Sequence, residues 1–263
     1  MKVMIVQNRV YPELTETLDH LSELIARISE PVDVLVFGEM FTTPYDYDSI
    51  RRARARDSGK VATFLGSLAR KHKAYVVGGS FPESVGALTY NTCLIIAPDG
   101  GTIAKYRKMH LFEITYPDGR TFGENRVLTP GKEIVVFPTA FGPMGVMICF
   151  DIRFPRLADL IAEAGARVIF VPAAFNTFTG PLHWHITFRA RATDNQLFMI
   201  GASPSRNSAG GYEPYGHSLA CDPFGRIIGE LGENEDVLIV DLDLGAIEQA
   251  RAAIPIRRNR IDL

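Results

Sequence analysis

Short apolar runs rich in β-branched residues recur along the chain, and stretches with the period of an amphipathic helix separate several of them. The apolar runs predict strands over residues 3–7, 34–37, 75–78, 92–97, 102–106, 134–137, 144–148, 168–171 and 197–202. The helical periods predict helices over roughly residues 13–28, 49–71, 155–164 and 184–195. This alternation predicts a mixed α/β fold.

Two tight turns separate pairs of the predicted strands. Pro-Asp-Gly-Gly at 98–101 predicts a hairpin between the strands at 92–97 and 102–106, because Asp-Gly supplies the positive φ that such a turn needs. Asp-Pro-Phe-Gly at 222–225 predicts a second hairpin. Parallel and antiparallel pairing are therefore expected together. The sequence contains no repeat or low-complexity linker, so residues 1–263 are expected to form a single domain.

The composition is that of an ordinary globular protein. Of the 263 residues, 46% are hydrophobic and 22% are charged, against averages of about 45–50% and about 25%. The formal net charge of −2 offers no basic surface for nucleic acid or for an anionic membrane. The densest basic stretch, residues 51–56, is short and is expected to form a solvated helix face.

Neither a membrane span nor a secretory leader is expected. Residues 134–150 and 168–188 lack charged side chains, but proline and glycine interrupt both stretches, which favours buried strands and loops. The first apolar run ends at Asn8 and Arg9, too early for a signal peptide. The three cysteines, an odd count without secretory context, are expected to be free thiols in a cytoplasmic protein.

Cys149 stands where a buried strand runs through a turn into a helix that begins near Pro155. A thiolate near a helix N-terminus is stabilised by the peptide dipoles, so its pKa is expected to fall. Backbone N–H groups at such a turn can also bind an oxyanion. A cysteine after Val-Met-Ile is equally compatible with a small buried apolar residue, and the turn alone leaves both interpretations open.

Glu39 and Lys108 are the other candidates for chemistry. Glu39 follows the apolar run at 34–37, and a carboxylate at the buried end of a strand must be paired, hydrogen-bonded or functional because burying it alone is costly. Lys108, considered by itself, is typical of a surface lysine. Neither segment alone identifies an enzyme.

Taken together, these segments resemble the nitrilase superfamily of carbon–nitrogen hydrolases. Phe-Gly-Glu-Met-Phe contains Glu39, Tyr-Arg-Lys-Met-His-Leu-Phe contains Lys108, and Gly-Val-Met-Ile-Cys-Phe-Asp contains Cys149, in the family's order and with separations of 69 and 41 residues. Glu124, in Thr-Phe-Gly-Glu-Asn-Arg, falls where the family often has a second glutamate. The turn at 222–225 resembles a late turn of the family, so the resemblance covers almost the whole chain.

The resemblance implies a four-layer αββα sandwich with mixed sheets, pairing of protomers into a homodimer, and hydrolysis of a small-molecule amide without a cofactor or metal. It implies that Cys149 is the nucleophile and Glu39 the general base. Lys108 and the backbone N–H of Phe150 would stabilise the oxyanion. Glu124 would position Lys108 and the attacking water.

Residues 173–184 and 189–196 are similar to the omega-amidase branch, which hydrolyses the terminal amide of dicarboxylic acid monoamides such as 2-oxoglutaramate or succinamate. Gly38 replaces an expected proline, and Arg156 replaces the usual glutamate after Phe-Pro. The second departure bears on the exact substrate. An N-carbamoyl amino acid hydrolase of the same superfamily is the alternative.

Arg153, four residues after Cys149, is the candidate to bind a substrate carboxylate through two parallel hydrogen bonds. An arginine at this offset has such a role in related carbamoylases, and a structural ion pair with Asp151 or Glu163 is the alternative. The remaining predicted pocket residues are Phe112, Tyr116, Phe175, Asn176 and, through its hydroxyl, Tyr45.

Two interpretations outside the family remain. A metal hydrolase is suggested by six histidines, among them His183 and His185, but residues two apart on a helix lie about 200° apart and make poor joint ligands. A noncatalytic binding protein on the same scaffold is the other, although all four catalytic residue types are present.

Overall fold

The computed structural model describes residues 1–53, 58–209, 211–259 and 261. Its helices are α1 (Leu14–Ala26), α2 (Tyr47–Ala53), α3 (Ser58–His72), α4 (Pro155–Glu163), α5 (Gly180–Asn195) and α6 (Ala246–Ala253). Its strands are β1 (Lys2–Gln7), β2 (Val34–Phe37), β3 (Tyr75–Val77), β4 (Phe81–Val85), β5 (Leu88–Ile96), β6 (Thr102–Arg107), β7 (Glu113–Thr115), β8 (Thr121–Gly123), β9 (Val135–Phe137), β10 (Met144–Val146), β11 (Val168–Pro172), β12 (Phe198–Ala202), β13 (Leu219–Cys221), β14 (Ile227–Glu230) and β15 (Asp236–Asp241). Short 3₁₀ turns lie at Glu124–Arg126, Cys149–Arg153 and Arg257–Asn259.

Within these ranges the strands form two large sheets and a small hairpin. The first sheet has the order β15-β1-β2-β3-β5-β4, with β6 paired to β5, and the second has the order β14-β13-β12-β11-β10-β9. Strands β7 and β8 pair with each other. The pairs β1–β2, β2–β3, β10–β11 and β11–β12 are parallel, whereas pairs such as β1–β15 and β5–β6 are antiparallel. Mixed pairing is therefore confirmed.

The alternation of side chains along β1 explains the layering of the fold. Val3 and Ile5 lie in a core shared with the second sheet, whereas Met4 and Val6 lie in a separate core with α1 and α3. Helices α4 and α5 cover the far side of the second sheet, where Trp184 is fully buried. The order helix, sheet, sheet, helix confirms the four-layer αββα sandwich.

Both predicted hairpins are confirmed. Strands β5 and β6 pair across a turn in which Gly100 has a φ of +87°, and β13 and β14 pair across one in which Gly225 has a φ of +77°. The helix predicted over roughly 49–71 is wrong as one element, since α2 and α3 replace it. Residues 54–57 lie outside the described residues, and they include half of the basic stretch at 51–56. In the described half of that stretch, Arg51 and Arg52 are exposed.

Several elements differ from the sequence prediction. Helix α5 begins at Gly180, earlier than predicted, because Pro181 is accommodated in a first helical turn. The apolar patterns missed β4, β7, β8, β15 and α6, although β15 pairs along the whole of β1. Among the described residues, no helix has the length and apolar character to cross a membrane.

Candidate active site

Glu39 lies just beyond the C-terminal end of β2, fully buried. Gly38 before it contacts the chain at Pro204 so closely that a Cβ would lie 2.6 Å from the Pro204 Cδ, so glycine is required here. Oε1 of Glu39 accepts hydrogen bonds from Lys108 Nζ at 2.7 Å and from Asn91 Nδ2 at 2.8 Å. Oε2 is buried without a partner of hydrogen-bond geometry among the described residues. One oxygen of Glu39 is therefore held by two strong donors, whereas Glu39 has only a weak interaction with the Cys149 thiol beside it.

Lys108 follows the last residue of β6 and is fully buried. Its Nζ lies 2.7 Å from Glu39 Oε1 and 2.8 Å from Glu124 Oε2. Burial opposes the charged ammonium, but the charges of Glu124 and Glu39 outweigh it and raise the pKa of Lys108. The alternative interpretation of Lys108 as an ordinary surface lysine is therefore wrong. The site contains a permanent buried cation.

Glu124 opens a 3₁₀ turn directly after β8, and both of its carboxylate oxygens are occupied. Oε1 accepts from the Tyr45 hydroxyl at 2.7 Å and from Asn91 Nδ2 at 3.2 Å. Oε2 accepts from the Phe112 backbone N–H at 2.6 Å in addition to its contact with Lys108. These bonds leave Glu124 suited to fixing its neighbours rather than to moving a proton.

Cys149 begins a 3₁₀ turn and has a φ of +47°. This left-handed conformation costs a non-glycine residue about 1–3 kcal/mol and must be held by its surroundings. Buried Asp151 supplies that hold, since it accepts from the Ile148 N–H at 3.0 Å, from the Tyr106 hydroxyl at 2.6 Å and from the His110 N–H at 2.9 Å. The turn therefore presents the thiol at a fixed place beside Glu39.

The expectation of a lowered thiol pKa is wrong for the resting site. Burial raises the pKa of the Cys149 thiol well above its usual value, and the negative charge of Glu39 raises it further, against a lowering by Lys108. Burial likewise raises the pKa of Glu39, with the charge of Lys108 opposing it. The reason is that Cys149 is only 4% exposed, and desolvation outweighs the peptide dipoles. The resting thiol is protonated and needs a base.

Two residues at the site escaped the sequence analysis. Asn91, 1% exposed in the middle of β5, donates to both Glu39 and Glu124. An amide next to the apolar run at 93–97 was the signal that could have identified it. The Tyr212 hydroxyl donates to the Ala174 carbonyl, and its ring centroid lies 4.7 Å from that of Tyr45. Tyr212 shares a cavity with Glu39 and Tyr45, and burial raises the pKa of its hydroxyl, as do electrostatic interactions with Cys149 and Glu39.

Arg153 is half-buried beside the turn of Cys149. Its guanidinium lies 4.8 Å from the Phe175 ring centroid and 5.8 Å from that of Phe150, and Nη1 lies 3.0 Å from Nδ1 of His183. The two acids considered as its structural partners have other contacts. Asp151 binds Tyr106 and His110, and Glu163 pairs with Arg156 at 3.0 Å.

The other predicted pocket residues contact one another or the candidate catalytic residues. Asn176 Nδ2 donates to the Tyr116 hydroxyl at 3.0 Å, and the Phe112 and Phe150 rings meet edge to face at 5.4 Å. The Tyr45 hydroxyl donates to Glu124, and Tyr45 also lines a cavity beside Glu39.

The space beside Glu39 is small. A cavity of about 10 Å³, room for about one water molecule, is lined by Glu39, Tyr45, Ala174 and Tyr212, among others. A larger cleft of about 610 Å³, lined by Pro12 and Lys60 among others, includes none of the candidate catalytic residues. The buried charges of the candidate site therefore lie beside the small cavity and away from the larger cleft.

Comparisons with known proteins agree with this arrangement. The family model described as carbon-nitrogen hydrolase matches residues 2–252. Omega-amidase NIT3 of Saccharomyces cerevisiae is 40% identical over 99% of this chain and 93% of its own length. Omega-amidase NIT2 of Xenopus tropicalis is 37% identical over 98% of this chain and 94% of its own length. The crystal structure of Saccharomyces cerevisiae Nit3, a member of branch 10 of the nitrilase superfamily, superposes with a TM-score of 0.87 at 36% identity over 99% of this chain and 97% of that one.

Proposed function

Because this chain belongs to the carbon–nitrogen hydrolase family, we propose that it is an omega-amidase, which hydrolyses the terminal amide of a small dicarboxylic acid monoamide to acid and ammonia through a Cys149 thioester. The observation that carries the chemistry is the buried contact of Lys108 with Glu39 and Glu124, beside a thiol on a strained turn. The named omega-amidases among its relatives support the substrate class.

The acylation step begins with a neutral thiol. Oε2 of Glu39, which among the described residues accepts no hydrogen bond of strict geometry, accepts the thiol proton as sulfur attacks the amide carbon. The negative charge that forms on the carbonyl oxygen is stabilised by the Lys108 ammonium and the Phe150 N–H. Glu39 then gives the proton to the amide nitrogen, the carbon–nitrogen bond breaks, and ammonia leaves a thioester on Cys149.

Deacylation uses the same groups in reverse order. Glu39 takes a proton from water, the oxygen attacks the thioester carbon, and the carbon–sulfur bond breaks. The departing thiolate recovers its proton from Glu39, which restores the neutral thiol. Glu124 keeps Lys108 and Asn91 in place throughout, since both of its oxygens are already bound. The raised pKa of Glu39 suits a group that both accepts and donates a proton.

Arg153 is proposed to bind the free carboxylate of the substrate. Its half-buried guanidinium lies over the Phe175 ring and contacts His183, which carries no negative charge, so its planar donors can turn toward an anion. The pKa of His183 is lowered by burial and by the charge of Arg153, so His183 is neutral and does not compete as a cation. A carboxylate held there would leave the distal amide to reach Cys149.

The experiment that tests the catalytic part is ammonia release from succinamate by wild type, Cys149→Ala, Cys93→Ala and Cys221→Ala. Only Cys149→Ala should lose turnover, because Cys93 and Cys221 are buried in the core and have no role in the mechanism. Near-normal turnover by Cys149→Ala would end the thioester mechanism.

The substrate part is tested separately by comparing kcat/KM for succinamate and butyramide. Succinamate should be preferred, and Arg153→Lys should raise KM more than it lowers kcat. Equal values for the two amides would remove the carboxylate contact, and faster turnover of an N-carbamoyl amino acid would assign the chain to the carbamoylases instead.

The homodimer and the cytoplasmic location also remain proposals. Leu182 and Ile186 lie one helical turn apart on α5 and are 63% and 64% exposed, with Phe224 nearby at 38%. An apolar face of this kind can pair with its own copy about a two-fold axis. All three cysteines are free, which supports a reducing compartment, and fractionation of cells followed by detection of the protein would test it.

A further inference from the structure

A second cluster of polar side chains lies on α5, on the segment before β13 and at the end of β14, and it shares no residue with the candidate active site. His185 Nε2 lies 2.7 Å from Glu230 Oε1, and His217 Nδ1 lies 3.0 Å from the same oxygen. The three ligand atoms all lie within 4.8 Å of one another. In the single chain a quarter to a third of each side chain is exposed, so water can reach the cluster, and His185 borders the Leu182, Ile186 and Phe224 face proposed to pair in the homodimer.

The backbones that carry these residues are fixed. His185 follows Trp184, which is fully buried in α5. The indole N–H of Trp184 donates to the His217 carbonyl at 2.7 Å, and the His217 N–H donates to the Gly232 carbonyl at 2.9 Å. Glu230 is the last residue of β14, paired in register with Leu219. The three donors therefore converge because of tertiary structure that is already formed.

The imidazole of His217 is also held in orientation. The Tyr215 ring stacks on it at 4.1 Å between centroids with an interplanar angle of 22°. His217 itself has a φ of +56°, a left-handed conformation that a non-glycine residue adopts only where its surroundings impose it. Groups held this firmly lose little entropy when they bind a ligand.

The donor set indicates which ligand fits. Two imidazole nitrogens and one carboxylate oxygen suit a borderline divalent transition cation, at about 2.0–2.2 Å per bond, with water as a fourth ligand. Mg²⁺ and Ca²⁺ prefer oxygen ligands throughout and suit the set poorly. We propose that His185, His217 and Glu230 form a surface site for a zinc-like divalent cation that links α5 to the β13–β14 hairpin.

The link would act on a segment that also borders the candidate pocket. The Tyr215 N–H donates to the Phe175 carbonyl at 2.6 Å, and Pro214 forms a bridge with Asn176. A cation on His217 and His185 would therefore hold residues 212–217 against α5. We expect the cation to raise the melting temperature, since a ligand that binds only the folded chain stabilises it by mass action.

The test is a calorimetric titration of metal-stripped protein with Zn²⁺ at pH 7.5, with melting temperatures measured in parallel. All three donors belong to one chain, so wild type should bind one ion per chain. His217→Ala and Glu230→Gln should each weaken binding by more than about tenfold and abolish the thermal shift. Glu230→Gln keeps the size and shape of the side chain, so it remains informative if His217→Ala folds poorly.

His20→Ala is the matched control, because His20 makes the same kind of contact with a carboxylate, Nε2 to Glu235 Oε1 at 2.7 Å, without belonging to the three-residue cluster. It should bind Zn²⁺ as wild type does. Cys149→Ala removes the candidate catalytic thiol as a competing ligand and should also keep the site. Unchanged affinity in both His217→Ala and Glu230→Gln, absence of binding by wild type, or loss of binding in Cys149→Ala alone would each overturn the proposal.

Discussion

At Glu39 the two carboxylate oxygens have different surroundings, and this difference organises the chemistry. One oxygen accepts from Lys108 and Asn91, while the other is buried without a geometric partner. An unsatisfied buried acceptor costs roughly 1–3 kcal/mol, so its retention at the one place next to a thiol is informative. In the proposed mechanism this second oxygen accepts the proton of the Cys149 thiol.

The role of Glu39 can be tested through the reactivity of Cys149. Burial raises the pKa of Glu39 from its ordinary value of 4.5, and a protonated Glu39 cannot accept the thiol proton. Alkylation by iodoacetamide, which is uncharged, should therefore slow as pH falls through a midpoint above 4.5. The same acid limb in Glu39→Gln, which cannot titrate, would show that another group controls the thiol.

Lys108 supplies a positive charge at a fixed position. Replacing it with arginine keeps the charge but changes the position and shape of the charged group. Lys108→Arg keeps the charge, but the planar guanidinium is larger than the ammonium that contacts both Glu39 and Glu124, and it cannot present one compact point charge. We expect kcat for succinamate to fall by about 10²–10³, the usual cost of losing an oxyanion donor. Full activity would assign Lys108 a purely structural role.

At the scale of elements, the active site is made by the ends of strands. Glu39 follows β2, Lys108 follows β6, Glu124 follows β8, and Cys149 follows β10 by a short extended segment. The small β7–β8 hairpin, which apolar patterning did not predict, carries Glu124 toward the others. The close approach of chain segments at these ends leaves little room for additional atoms.

Gly38→Ala tests this crowding. A Cβ at residue 38 would lie 2.6 Å from Pro204 Cδ and 2.8 Å from the Ser203 carbonyl carbon, so the end of β2 must shift and carry Glu39 with it. We expect lower kcat and a lower melting temperature. Gly59→Ala is the control, because a Cβ there meets nothing within 4 Å and alanine favours the helix by roughly 0.5–1 kcal/mol. Equal behaviour of the two variants would contradict the crowding at Gly38.

At the scale of the whole molecule, the apolar face of α5 predicts self-association. Size-exclusion chromatography with light scattering should give twice the chain mass of 29.1 kDa for wild type and the single-chain mass for Leu182→Lys with Ile186→Lys. Leu88→Lys, at a position 47% exposed on β5, is the control and should remain paired. A monomeric wild type would remove the homodimer from the proposal.

The sequence by itself determined the candidate catalytic residues and most of the strands. Period-two and β-branched patterns are local, so β1, β2 and the two hairpins could be predicted from them. The segments around Glu39, Lys108 and Cys149 carried the family resemblance. They could be recognised in the sequence because the proposed reaction requires a carboxylate, an ammonium and a thiol. The β7–β8 hairpin was missed because its strands are only three residues long, although Pro-Asp-Gly at 117–119 is a local turn signal and Gly119 has a φ of +86°.

Only the tertiary structure decided how distant residues meet. Asn91 contacts Glu39 across 52 residues of sequence, and the Tyr45 hydroxyl reaches Glu124 across 79. Sequence spacing correctly separates His183 from His185 on α5, but only the fold brings His185 and His217 to one carboxylate. The direction of the pKa shift of Cys149 was likewise decided by burial. Desolvation depends on every chain segment around a group, and no local pattern records it.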